Sequence, residues 1–291
     1  MFDLIKTDFY RIFKSKVFYV ILGISFGLPL LTVLMVFGIN KGLGALIDIS
    51  DGPDFSIING KLLISGIYGL SSNVGLILPI FLVILVGGDI SNGLLRNKVL
   101  VGKSKIQIYF SHLIVITIIS LVCITINALV ISPLTFWLIP YGSDLNHIEI
   151  RSLIFYYILG TLSFVFISAL VVMMTLNFNH IVFPILLIVL FGIGIMLLTQ
   201  IINLVDVGAL LETTNKIPKQ LIPIIKNSLY FIPINSANGF AFNSSVIAED
   251  GSVVSEGISV VAFVIGLISL IVFTFLATLG GVISFKNKEL K

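Results

Sequence analysis

The chain has 291 residues, 57% of them hydrophobic and only 11% charged, with a mean hydropathy of +1.16. Soluble domains carry roughly 25% charged residues. Seventeen basic and fourteen acidic side chains cannot cover the apolar surface that a fold of this size would leave outside. A soluble globule is therefore excluded, and so is a disordered chain, which would be poor in apolar residues. The composition is that of an all-α polytopic membrane protein. The single cysteine, Cys123, lies in an apolar run and permits no intramolecular disulfide.

In chain order, residues 2–16 place Phe2, Ile5, Phe9, Ile12 and Phe13 at helical spacing, with Asp3, Lys6, Arg11 and Lys14 elsewhere on the wheel. This predicts an amphipathic helix lying in the cytoplasmic membrane interface. The run 17–38 exceeds the roughly 7–15 apolar residues of a signal peptide and has no small-residue cleavage pattern, so it is expected to be a retained first span. Five further runs reach the roughly 20 apolar residues that a crossing needs, near 62–86, 106–131, 153–176, 181–203 and 258–284. None has Asp, Glu, Lys or Arg in its interior.

Charge sorts the connections. The N-terminal tail, the loop 87–105, the link 177–180 and the C-terminal tail hold eleven basic and four acidic residues, against six basic and ten acidic on the other side. Basic residues favour the cytoplasmic side, so an even number of spans puts both termini there. Gly23 with Gly27, and Ala277 with Gly281, form small-xxx-small pairs that permit close helix packing. The largest connection, 204–257, is expected outside. Pro218, Pro223 and Pro233 break any helix there, while Leu210, Leu211, Leu221, Ile222 and Ile225 suit a loop leaning on the membrane surface or capping a cavity. The stretch 1–291 reads as a single transmembrane domain without internal repeats.

Signatures of catalysis are missing. His112, His147 and His180 are far apart in sequence and read as interfacial polar residues; no His-Glu-x-x-His is present, and no metal site is expected. Gly102-Lys103-Ser104 looks like the end of a phosphate-binding loop. The motif needs Gly five residues earlier, where Asn97 stands, so the segment reads as a basic turn and the chain is not expected to bind ATP itself. The spans lack the ionisable groups of ion-driven carriers. Asn73 and Asn127 suit hydrogen bonds between helices, and the Asn243-Ser244-Ser245 sequon is read as chance. An intramembrane protease would need paired Glu/His or Ser/His/Asp sets that the spans do not offer.

The loop 87–105 is the informative segment. Asp89, Ser91 or Asn92 can cap a short basic helix there and Gly102 can end it. Its Asp89-x-x-x-Gly93-x-x-Arg96 pattern resembles the Glu-x-x-x-Gly-Thr-x-Arg coupling segment of ABC-2 type ATP-binding-cassette exporter permeases, with Asp for Glu and Leu94 for Thr. The opening Leu4–Lys16 resembles that family's elbow helix. The ending Phe285–Lys291 resembles its Phe-x-x-Arg-Asp-x-Lys terminus, and Leu229–Pro233 its Tyr-Leu-Pro before the last span.

The resemblance implies a permease subunit without enzymatic activity of its own in the cell membrane. It would be powered by a separate ATPase subunit, which brings ATP and Mg and docks between spans two and three. Asp89, Asn92, Gly93, Arg96 and Lys98 would lie at that contact. A second permease subunit, the same or different, would complete the exporter, and no nucleic acid is expected as a partner. Family members of this length imply an amphipathic or apolar cargo such as an antimicrobial peptide, and hence a resistance role. The alternative is an accessory, scaffolding or sensing membrane protein without transport activity.

Overall fold

The computed structural model describes residues 1–46, 58–69, 74–141, 146–178, 180–210, 232, 245–247, 253–255 and 258–288. The expectations for Asn73, Asn243, most of Leu229–Pro233 and most of the loop 204–257 lie outside the described residues. The elements in chain order are α1 Phe2–Lys14, α2 Lys16–Leu46, α3 Gly60–Ser65, α4 Ile77–Ser91, α5 Leu94–Leu100, α6 Lys105–Leu138, α7 His147–Asn177 and α8 Val182–Leu210. After these come β1 Ser245–Ile247, β2 Val253–Ser255 and α9 Val260–Asn287. The strands form one small antiparallel pair with Ser245 opposite Ser255; the other elements are helices.

Among the described residues, α2, α6, α7 and α9 are long and apolar enough to cross a membrane. The α4–α5 pair, bent by 56°, makes a fifth crossing if it is counted as one broken span. The chain is thus a helical protein with the composition and helix lengths of a multi-pass membrane protein.

Helix α7 lies at the centre, packed by α6, α9, α4 and α8, with α2 and α1 against α6. Two of its buried serines bond within the helix itself. Ser163 donates to Gly160 O and Ser168 to Phe164 O, each at 2.7 Å, leaving smooth helix faces that pack closely. Across the α7–α9 seam Phe155 stacks on Phe263 with centroids 4.1 Å apart.

The two small-residue pairs fare differently. A Cβ on Gly281 would run into the Tyr109 ring and hydroxyl, so this glycine, with buried Ala277, does bring α9 against α6. A Cβ on Gly23 or Gly27 would meet nothing within 4 Å among the described residues, so no helix packs closely on this pair there.

The stretch 62–86, expected as one continuous span, is instead divided: α3 ends at Ser65, a turn covers 66–69, and α4 begins at Ile77. Fifteen residues make α4 only about 22 Å long, short of a roughly 30 Å hydrocarbon core. The irregular backbone after α3 needs hydrogen-bond partners, and it has them. Asn127 donates to Ile67 O at 3.0 Å, Tyr156 donates to Ser65 O at 2.6 Å, and the Tyr68 amide donates to the Tyr156 hydroxyl. Asn127 is therefore the hydrogen-bonding residue that its sequence context suggested.

The connections separate into two groups in space. At one end α1, the α4–α5 bend and the start of α6 meet the ends of α7 and α9. Lys105 donates to Lys286 O and Lys288 O, while Lys288 caps the end of α7 through Leu176 O and Phe178 O. At the other end the Gly60 amide donates to Pro140 O, Lys61 pairs with Glu149 at 2.7 Å and the Ile258 amide donates to Ser152 Oγ.

Candidate functional site

The basic end holds a buried ionic cluster assembled from four helices. Helix α1 turns Leu4, Asp8 and Ile12 inward at i, i+4 and i+8, and all three are buried. Phe2 and Phe13 face out. The inward face is therefore not the aromatic one that the sequence pattern emphasises.

Helix α4 ends in Asp89, 3% exposed, before Gly93 breaks the chain with φ +66, a conformation that costs a residue with a Cβ. Gly93 is also the residue at the start of α5, whose first turn has no side-chain cap. The expected capping by Asp89, Ser91 or Asn92 is thus replaced by a glycine hinge. Two turns later Gly102, at φ +83, reverses the chain. Ser104 and Gln107 then open α6 with a reciprocal capping box.

Within the cluster, Asp8 accepts from Lys98 Nζ at 2.6 Å on one carboxylate oxygen and from the Ser111 hydroxyl at 2.7 Å on the other. Arg11 lies 3.7 Å from Asp8 and makes its close ion pair with Asp89. The same Asp89 oxygen is 2.8 Å from His112 Nε2, and His112 Nδ1 is 2.8 Å from Ile108 O. A backbone carbonyl only accepts, so Nδ1 donates to it. Burial alone would raise the Asp8 carboxyl, but His112, Lys98 and the Ser111 hydroxyl outweigh it and hold it below the ordinary aspartate range. At the neighbouring C-terminus burial pushes the Lys288 ammonium down.

Asp8, Asp89 and His112 bring three potential ligand atoms within 4.8 Å of one another. The two carboxylates are already matched by Arg11 and Lys98, so a divalent ion would have to displace cations that the protein supplies. The chemistry of the cluster is that of a charge-paired joint between α1, α4, α5 and α6.

The residues singled out from sequence divide accordingly. Asn92, Gly93 and Arg96 are exposed on the bend and on α5. Asp89 and Lys98 are turned inward and spent on Arg11, His112 and Asp8. His112 is a buried member of the joint rather than an interfacial polar residue, whereas His147 and His180 are exposed. Asp8, Arg11, Ser111 and His112 were not anticipated. The one available signal was Asp8 standing between Leu4 and Ile12 on a single helical face. No protein-family model matches this chain, and no curated protein matches it either.

Proposed function

We propose that the chain is the transmembrane permease subunit of an ATP-driven exporter, with α5 as the helix on which a separate ATPase subunit docks. The reading is supported by one observation above all: α5, which carries the exposed Arg96, is ion-paired through Lys98 to Asp8 of α1, and α1 is tied in turn through Arg11 to Asp89 of α4, which also holds His112 of α6. A push on α5 would move a packed unit instead of bending a loop, which is what transmission of an ATP-driven closure requires. Six spans, cytoplasmic termini and a place in the cell membrane belong to the same proposal, as do an apolar or amphipathic cargo and a second permease subunit.

The test is a pull-down of tagged protein from its native membranes in mild detergent, intact and as Arg96→Glu. Arg96 is exposed, so its reversal leaves the buried joint intact, unlike a change at Asp89. Recovery of a nucleotide-hydrolysing partner with the intact chain, and at least a tenfold loss with Arg96→Glu, is the expected result. An intact chain that recovers no ATPase activity would move the accessory or scaffolding reading ahead.

A further inference from the structure

We propose that the outward face of α1 is a binding surface for anionic phospholipid headgroups. Phe2 is 88% exposed, Tyr10 62% and Phe13 49%, on a helix whose opposite face is buried in the ionic joint. Lys6 and Lys14 are exposed on α1, and Lys16 is exposed where α2 begins. Asp3 is the one acidic residue among them, because Asp8 is inside.

Two arguments select the occupant. The first is continuity with the wall of a candidate span. Phe13 meets the buried Phe18 edge-on at 4.8 Å, which fixes the outward face of α1 beside the start of α2, where Tyr19 and Val20 are exposed. That places it at the level where apolar rings enter the acyl boundary and lysines reach the headgroups. The second is charge: three lysines beside one aspartate complement an anionic leaflet and have no counterpart in a neutral one. Asp8 and Arg11 face the other way, so a headgroup phosphate does not compete with the joint. This inference rests on the helix and its exposure and not on the transport reading.

The experiment uses the full chain, one copy per nanodisc, in phosphatidylcholine alone and in equal parts of phosphatidylcholine and phosphatidylglycerol. Amide exchange of residues 2–14 is the readout, with residues of α7 as internal reference. Each lysine at an anionic surface contributes about fivefold in binding, so exchange of α1 should slow by about fivefold or more in the anionic discs and recover in high salt. Lys6→Gln with Lys14→Gln and Lys16→Gln should abolish the difference, while the three Lys→Arg changes together retain it. Equal exchange in both lipids overturns the proposal. So does protection that appears only with two copies per disc or with added ATPase, since the face would then be covered by protein.

Discussion

Asp8 is the residue on which most depends. It is buried, holds Lys98 and Ser111 on its two oxygens, and sits between the buried Leu4 and Ile12 on a helix packed against α6 and α2. Removing one member of a buried pair leaves an uncompensated charge, at a cost of about 3–5 kcal/mol. Asp8→Asn is therefore expected to destabilise the chain by about 3 kcal/mol in detergent denaturation, at the lower end because Lys98 is near enough to the surface to swing out. Adding Lys98→Gln should return part of the loss, a non-additivity that a double-mutant cycle measures.

The pH dependence has a defined sign. The folded-state value of Asp8 is depressed from the ordinary 3.8. Its contribution is thus complete above that value and fades only as pH falls below it, through the folded one. The stability difference between the native chain and Asp8→Asn should stay constant from neutral pH to mild acid and close below about pH 4.

At the scale of elements, the short-residue pairs separate what spacing permits from what packing uses. Gly281→Ala would place a methyl against the Tyr109 ring and hydroxyl, at an expected cost of about 1–3 kcal/mol. Tyr109→Phe removes the buried hydroxyl, which has no hydrogen-bond partner among the described residues, and should recover part of that cost in the double variant. Gly27→Ala should be neutral or slightly stabilising, because its Cβ meets open space in a helix where alanine is the better residue by about 0.5–1 kcal/mol. Thermal unfolding of the purified variants distinguishes the two pairs. Sequence spacing marked both alike, since a four-residue interval says which residues share a face and nothing about which face has a neighbour.

Over the whole molecule, the two groups of connections predict a sidedness that chemistry can check. After Cys123→Ala, a cysteine at Lys103 and one at His147 are expected to react with a membrane-impermeant maleimide from opposite sides, Lys103 from the cytoplasm. Lys103 lies between α5 and α6, His147 is the exposed first residue of α7, and Cys123 is buried. Labelling of both from one side would overturn the proposed orientation.

Membrane character, the helices α2, α6, α7 and α9 and the turn at Gly102 after the short basic helix were legible in the sequence, and for one reason. Each follows from local chain properties: the absence of charge over a crossing's length, and a glycine where the chain must turn. The irregular backbone after α3 was not legible, because Ile67 and Ser65 are satisfied by Asn127 and Tyr156, more than fifty residues away. Nor was the joint. Whether Asp89 and Lys98 face a partner or their own N-terminal helix depends on Asp8, Arg11 and His112 arriving beside them. That pairing is settled by long-range packing, where the low dielectric of the interior makes each charge find an opposite one.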